Sequence, residues 1–589
     1  MPPKHERRVC AARYKIFFSA LLLLNFTQAS TASAADPAPF SGDCQSVAPY
    51  GPTITRDEVR HLMDKVAFGQ PIPGITDAPS ATQRFNIDPI IDLLLYEPPT
   101  YLDSVQFHQM DGLGLSNDNA VLNQLADLAK HYLQRYLFEG RPFYASYTLF
   151  LLQQYASSQG ANRSGAQQHV LNLMNYPIVT DQDMGDGTRY RTQYLPNIRV
   201  HQLQNLRLVT DAFLFDPITG PFLNLPANLK NRSNQNYPRE LLEIFTMGTF
   251  NPANGAPNYN ENDVQAMTQS LTGFRLTRNG ATSGTEVFFQ RDLWDSGAKT
   301  LFPKVAGTKT AAFNYESAID RVYYDHPATA NNLAQRMFGL FVHPNASKTL
   351  IGQLGTLLKS YNFEPEPFMR VLMKSQAMYC RGSVDSSVSS PIWYYSSIMR
   401  RLGLPVYREG YDTASDHIRA AISNALHQTR HEPLSPDQGV FGWSFIAGSS
   451  RDPDVRNWGQ SALSESSLFF RLQGLQDIFG AIDRDHAFDW FTLIPGYSEH
   501  RAVTSGQLAD SLANKLGITL EADQRTRILA FLDTTTDGYN TNGTVRTRPR
   551  PFQDLVAASY TNTAQAESLR QKVKGVIRIL AALPQYILN

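Results

Sequence analysis

Apolar residues recur along this 589-residue chain at intervals of three and four, the spacing that places side chains on one face of an α-helix. The interval is clear in two stretches, at Leu569, Val573, Val576, Ile577 and Leu580 and at Val121, Leu122, Leu125, Leu128, Tyr132 and Leu133. It predicts further helices over Arg60–Phe68, Leu203–Phe215, Ala330–Phe341 and Ile418–Leu426. Strand-like alternation is confined to Gly273–Thr277 and Glu286–Gln290, close enough to form a hairpin. The sequence therefore predicts a mainly α fold with at most a small β-hairpin.

Length and charge limit the architecture and the class of partner. The chain is longer than one hydrophobic core usually organises. We therefore expect a multi-helix globular body in two lobes, an N-terminal helical lobe over 36–300 and a C-terminal helical lobe over 301–589. Lys and Arg together number 53, as do Asp and Glu, so the chain has no net charge. Because a protein that binds nucleic acid normally has a basic excess, nucleic acid is not an expected partner.

The N-terminus has the three parts of a secretory signal peptide. A basic start with Lys4, Arg7 and Arg8 is followed by the apolar run Ile16–Phe26 and then by small residues that end at Ala34. The apolar run is shorter than the roughly 20 residues that cross a bilayer, which disfavours the alternative of a membrane anchor. We expect residues 1–35 to be removed, no transmembrane segment after signal cleavage, and a periplasmic or secreted protein.

Two cysteines remain once the predicted signal peptide and its Cys10 are removed. Cys44 and Cys380 are candidates for one disulfide, because thiols pair readily in an oxidising compartment. Two separate buried thiols are the alternative, and the sequence does not decide between them.

The segment Asn234–Phe245, NQNYPRELLEIF, is the most distinctive candidate for chemistry. It is predicted to be a helix that ends near Gly248, with Glu240 and Glu243 on one face. Two carboxylates on one face can hold a divalent metal or divide into an acid and a base, so both glutamates are candidate metal ligands. The alternative is an ion-pair network in which Arg239 bridges the carboxylates and fixes helix packing.

Three other residues are candidates for the same site. Asn260 and Asp263 are spaced as a capping box, and the alternative for Asp263 is a contribution to the glutamate cluster. His326 precedes a proline and is expected at a helix start, where capping or packing is weighed against a functional imidazole. Asp295 could join these groups around a cation.

The motifs resemble the bacterial exported family called domain of unknown function 1800. The resemblance covers nearly all the mature chain and rests on NQNYPRELLEIFTMG, YNENDV followed by SLTGF, RHLMDKVAFG, FFQRDLWDSGAKT, HPATANNLAQRMFGLFV, SSPIWYY and DPDVRNW. It implies a helical, exported protein. It also implies a partner, because such proteins are often encoded beside an uncharacterised exported family that looks like sulfatases and phosphatases.

Two departures from the family pattern bear on chemistry. Relatives often have Trp-His-Asn-His after Thr-Leu-Phe, whereas here Phe150 is followed by Leu-Leu-Gln-Gln, ending at Gln154. The His-Asp that relatives have before Gly-x-Lys is Trp294-Asp295 in this chain. The resemblance therefore implies a divergent member that lacks histidines its relatives have.

Two functions follow from these observations. The first is an exported scaffold or accessory partner of another exported protein, in which the polar cluster holds the fold. The second is a metal-dependent hydrolase, in which Glu240, Glu243 and further groups from Asp263, Asp295 or His326 surround a divalent cation and activate water. The sequence contains no complete catalytic set, which favours the scaffold.

Overall fold

The computed structural model describes residues 37–95, 138, 141–154, 180–183, 189–192, 205–215, 220, 223–278, 285–384, 386–406, 416–429, 465–539 and 545–588. The predicted signal peptide at 1–35 and the predicted helix around Val121–Leu133 lie outside these residues. The mainly helical fold is confirmed. Within the described residues, no helix is both long enough and apolar enough to cross a membrane.

The helices follow the predicted spacing closely where both can be compared. In chain order they are α1 Arg56–Val66, α2 Ile87–Leu95, α3 Pro142–Gln154, α4 Leu206–Leu214, α5 Asn236–Glu240, α6 Glu261–Ser270, α7 Tyr315–Asp320, α8 Pro327–Phe341, α9 Lys348–Ser360, α10 Pro365–Lys374, α11 Pro391–Leu402, α12 His417–Gln428, α13 Glu465–Arg484, α14 Ser505–Lys515, α15 Ala522–Leu532, α16 Phe552–Ser559, α17 Thr563–Ala581 and α18 Pro584–Ile587. Two π-helical turns, Leu241–Phe245 and Arg321–Asp325, directly continue α5 and α7.

The strands are short and all pair antiparallel. They are β1 Thr53–Thr55, β2 Arg84–Asn86, β3 Thr180–Asp183, β4 Arg189–Thr192, β5 Phe274–Arg278, β6 Thr285–Phe289, β7 Lys299–Thr300, β8 Thr310–Ala311, β9 Thr534–Tyr539 and β10 Val545–Pro549. The predicted hairpin is confirmed as β5 and β6, but it belongs to a four-stranded sheet in the order β3-β4-β6-β5. The sequence analysis expected at most one small hairpin and so missed the other two strands of this sheet. β3 and β4 have the sequences TDQD and RYRT, which lack the apolar alternation that indicates a strand.

The N-terminal segment runs antiparallel to the segment that follows α10. The backbone N–H groups of Gly42 and Tyr50 donate to the carbonyls of Tyr379 and Lys374, at 3.0 and 2.9 Å. A Cβ on Gly42 would lie 2.1 Å from the carbonyl oxygen of Gln376, so only glycine permits this approach. The pairing is also covalent, because Cys44 and Cys380 form a disulfide bond. This resolves the alternative that the sequence left open.

Arg401 on α11 joins distant parts of the core. Its guanidinium donates to the carboxylate of Asp64 on α1, to the carbonyl of Leu516 and, at 3.2 Å, to the carbonyl of Gly69. Buried hydrophobic side chains form one cluster that runs from Tyr50 to Tyr586. This cluster therefore crosses residue 300, and the division into two lobes stays a prediction.

Candidate functional site

The NQNYPRELLEIF segment folds as a short α-helix that changes pitch halfway. α5 covers Asn236–Glu240 and continues directly into the π turn at Leu241–Phe245. The expectation of one regular helix is therefore wrong in its second half, because a π turn is wider and residues three apart no longer stack as in an α-helix. The apolar stripe is as predicted, since both leucines and the phenylalanine of the turn are fully buried. Gly248 follows with a φ of 75°, which glycine adopts without strain.

Side chains from α3 and α8 bind the carbonyl groups at the end of the π turn. Gln154 donates from Nε2 to the carbonyls of Ile244 and Phe245, at 3.1 and 2.7 Å. Arg336 donates from Nη1 to the same Ile244 carbonyl at 3.1 Å and to Gln154 Oε1 at 2.9 Å. Asn332 donates to the next carbonyl after Phe245, at 2.6 Å. Gln154, the last residue of the Leu-Leu-Gln-Gln segment, therefore holds the backbone of the π turn in place.

Arg239 forms an ion-pair network that differs from the predicted one. Its Nη2 lies 2.9 Å from Glu261 Oε2, whereas its Nη1 lies 3.8 Å from Glu243 Oε1. The Glu261 side chain is 73% exposed, so the closer of the two pairs faces solvent. Glu243 is 15% exposed and neighbours Tyr259, whose pKa is raised by burial and by the Glu243 carboxylate. Glu240 is partly buried at the junction between α5 and the π turn.

Asp263 is a capping residue with both carboxylate oxygens bound to backbone. Its Oδ2 accepts the N–H of Asn260 at 3.0 Å, and Asn260 Oδ1 accepts the N–H of Asp263 at 3.3 Å. This is the reciprocal pattern of a capping box, so the predicted cap is confirmed. The other oxygen, Oδ1, accepts the N–H of Phe302 at 2.7 Å. Asp263 is 3% exposed and thereby ties the start of α6 to a distant turn.

His326 caps α8 and is fully buried. Its Nδ1 accepts the N–H of Ala328 at 3.2 Å, which assigns the ring proton to Nε2. Nε2 then donates to the carbonyl of Asn258 at 2.9 Å. The ring also meets the edge of Phe302, with centroids 5.2 Å apart, next to the Asp263 contact. Burial lowers the pKa of His326, so the imidazole is neutral near pH 7 and both its nitrogens are engaged.

Asp295 shapes its own loop. Its Oδ1 accepts the N–H of Gly297 at 2.9 Å, and its backbone N–H donates to Thr272 Oγ1 at 2.7 Å. Lys299 donates to the backbone carbonyls of Asp295 and Gly297 and lies 5.2 Å from the ring centroid of Trp294. Trp294 thus makes a cation–π contact with Lys299 within this loop.

One group of His, Cys, Asp and Glu side chains in the described part of the chain has three ligand atoms within 4.8 Å of one another, and it contains no carboxylate. It consists of Cys44, Cys380 and His343, and its two sulfurs are bonded to each other. His343 Nδ1 accepts the N–H of Asn345 at 3.2 Å, so Nε2 donates to the carbonyl of Cys44 at 2.9 Å. A neutral histidine binds a metal through the lone pair of one ring nitrogen, and in His343 that lone pair, on Nδ1, already accepts the N–H of Asn345. The group is a disulfide with a structural histidine beside it.

Of the predicted site residues, Asp263 and His326 both contact Phe302, the first through its backbone N–H and the second through its ring. Arg239 pairs with Glu243. Sequence reasoning missed Phe302, Asn258 and Glu261, because these contacts join residues that are 39, 68 and 22 positions from their partners. Phe302 follows the FFQRDLWDSGAKT motif by two residues, but that motif gives no indication of a contact with Asp263. Glu261 lies inside the capping box and Asn258 two positions before it, and neither carries a distinct signal.

The comparisons with known proteins give one match. Residues 61–588 match the model of a family described as "Protein of unknown function (DUF1800)". No curated protein and no solved structure matches the chain.

Proposed function

Because the chain belongs to the DUF1800 family of proteins of unknown function, we propose its role from its own residues: it is an exported helical scaffold that supports another exported protein. The observation that carries this proposal is the engagement of the candidate catalytic groups in holding the fold. Asp263 and His326 each bind two backbone groups that lie far apart in sequence. Such contacts fix loops against helices, and the burial of Asp263 and His326 keeps both side chains away from a substrate in solvent.

The requirements of hydrolysis also favour the scaffold over the hydrolase. A catalytic carboxylate or imidazole needs a lone pair or a proton to exchange with water or substrate. Both nitrogens of His326 and both oxygens of Asp263 are already used by backbone groups. Glu240 and Glu243 are the carboxylates on which a metal-dependent hydrolase would have to be built. They lie on a segment whose carbonyls are held by Gln154, where relatives often have a histidine.

Metal addition separates the scaffold from the hydrolase. Thermal melting of the purified protein is measured in EDTA and in Zn²⁺, Mn²⁺, Mg²⁺ or Ca²⁺, for the wild type and for Glu240→Gln and Glu243→Gln. Glu261→Gln, on the exposed side of the same network, is the matched control. We expect no cation to raise the wild-type melting temperature. A rise that Glu240→Gln cancels and Glu261→Gln keeps would overturn the scaffold proposal, because a bound ligand stabilises the folded state.

Export is the second part of the proposal. The basic, apolar and small-residue segments of the N-terminus support it, and so does the Cys44–Cys380 pair, because disulfides persist in oxidising compartments. Mass spectrometry of the periplasmic or secreted protein should find an N-terminus close to Ala35. Recovery of Met1 on protein in the inner membrane would reverse this assignment.

The partner follows from the family resemblance. We propose that the protein binds an exported sulfatase-like protein of the kind that is often encoded beside members of the family. Co-expression of both mature proteins should give one complex on size-exclusion chromatography at the summed mass. Separate elution at micromolar concentrations of each protein would count against this partner.

A further inference from the structure

Arg471 is a buried cation that has no acidic partner among the described residues, and it contacts none of the residues of the candidate site. It lies on α13 and is 1% exposed. Buried arginines are normally paired with carboxylates, because an isolated buried charge is costly. Nη1 donates to the carbonyl and to Oγ of Ser389, at 2.8 and 3.3 Å. Nε and Nη2 are buried and meet no hydrogen-bond acceptor among the residues that the structure describes.

The two remaining donor atoms form one edge of the guanidinium. The N–H groups of Nε and Nη2 point in the same direction, in the planar fork that binds two oxygens of a carboxylate, sulfate or phosphate side by side. The same guanidinium lies over the ring of Tyr394, with its Cζ 5.5 Å from the ring centroid. Burial lowers the pKa of Arg471, but a guanidinium keeps its proton in proteins. The charge therefore persists in the folded state.

Further groups near Arg471 also favour an anion. The hydroxyl of Tyr394 on α11 and Nε of Arg578 on α17 are buried, and neither has a hydrogen-bond partner within the described residues. Burial raises the pKa of Tyr394, while the positive charges of Arg471 and Arg578 oppose that rise, so both guanidiniums act on this hydroxyl. In addition, Ser389 precedes the first turn of α11, and a helix N-terminus carries partial positive charge. Two cations, a hydroxyl and a helix N-terminus therefore lie near one another, and no ion pair between either arginine and a carboxylate is found among the described residues.

We propose that Arg471, Tyr394 and Arg578 bind a small oxyanion, held bidentately by Nε and Nη2 of Arg471. The ligand has at least two oxygens on one atom, as carboxylates, sulfate and phosphate do. A buried water molecule could accept one of these hydrogen bonds but would leave the charge uncompensated. Arg578 is partly exposed, so the cluster has a side toward solvent.

Anion-dependent melting tests the site. The purified protein is titrated with sulfate, phosphate or acetate at constant ionic strength, with chloride as the reference. Sulfate, phosphate or acetate should raise the melting temperature of the wild type saturably, and the strongest of the three identifies the class. Arg471→Met should abolish the response, and Tyr394→Phe should weaken the apparent affinity about ten-fold. Arg527→Met, which removes an arginine that is 79% exposed, is the control and should keep the wild-type response.

Two results would overturn the proposal: a wild type that responds to the three oxyanions no more than to chloride, and an Arg471→Met variant that responds like the wild type. Should Arg471→Met fail to fold, selenate soaked into wild-type crystals gives a direct readout, because selenium scatters anomalously and selenate has the shape of sulfate. An anomalous peak beside Nε and Nη2 of Arg471 supports the site. Water alone at that position refutes it.

Discussion

His61 should make the protein sensitive to mild acid. This histidine lies on α1 and is 7% exposed, with Nε2 3.0 Å from the carbonyl of Met378 and 3.0 Å from Ser383 Oγ. Burial, with a smaller contribution from nearby Lys65, lowers the pKa of His61 from 6.5 to about 3. Below about pH 6.5, His61 therefore binds a proton in the unfolded chain but stays neutral in the folded protein.

The size of the effect follows from that difference. The contribution of His61 to stability is complete above about pH 6.5 and is lost as the pH falls toward the folded pKa of about 3. Between pH 7 and pH 5 the free energy of unfolding should decrease by about 2 kcal/mol through this residue. This loss of about 2 kcal/mol would hardly change if the folded pKa were one unit higher, because at pH 5 the folded protein would still be almost entirely unprotonated at His61. The size of the loss is then set by protonation of the unfolded chain.

The assay compares urea unfolding of the wild type and of His61→Gln at pH 7, 6 and 5. Glutamine can still donate to the Met378 carbonyl but does not titrate, so this variant should lose about 2 kcal/mol less than the wild type over the interval. The exposed His427→Gln is the control and should follow the wild type. Burial also lowers the pKa values of His326 and His343, but their contribution to the pH dependence of unfolding is the same in the wild type and in both variants. Equal losses in the wild type and in His61→Gln would refute the reasoning.

Three further substitutions test the contacts described above by urea unfolding. Asp263→Ala should lower the free energy of unfolding by about 2–4 kcal/mol, because it removes a helix cap and a buried hydrogen bond to a charged group. Glu261→Ala should lower it far less. Equal losses in the two variants would contradict the capping role of Asp263. Arg401→Met should lower the free energy of unfolding by about 3 kcal/mol because it leaves the Asp64 carboxyl without its guanidinium partner, and adding Asp64→Asn should recover part of that loss. Cys44→Ala should cost about 2–5 kcal/mol, and a wild type that is unaffected by reductant would show that the thiols are not joined.

The helices and the local caps could be predicted from the sequence because their signals are local. The spacing over Ile418–Leu426 gave α12 within two residues at each end, and the three-residue interval from Asn260 gave the capping box. The hairpin of β5 and β6 was found for the same reason. Each of these features is fixed by residues only a few positions apart.

The site could be predicted only in part because its chemistry depends on packing between distant segments. No characteristic spacing of apolar residues indicates the π turn at Leu241–Phe245, whose carbonyls accept hydrogen bonds from Gln154 and Arg336 on other helices. The pairing of Arg239 with Glu261 requires α5 and α6 to lie side by side. The buried edge of Arg471 is likewise visible only once its neighbours are in place.

The bond between Cys44 and Cys380 sets an order of events during synthesis. Cys44 is made 336 residues before its partner, an interval of about 20–70 s at 5–20 residues per second. Throughout that time the Cys44 thiol has no correct partner. Cys10 is the chain's third cysteine, and it lies in the predicted signal peptide. Once that peptide is removed, a premature disulfide can form only with another molecule, so the waiting period exposes this protein to mixed disulfides and dimers rather than to internal mispairing.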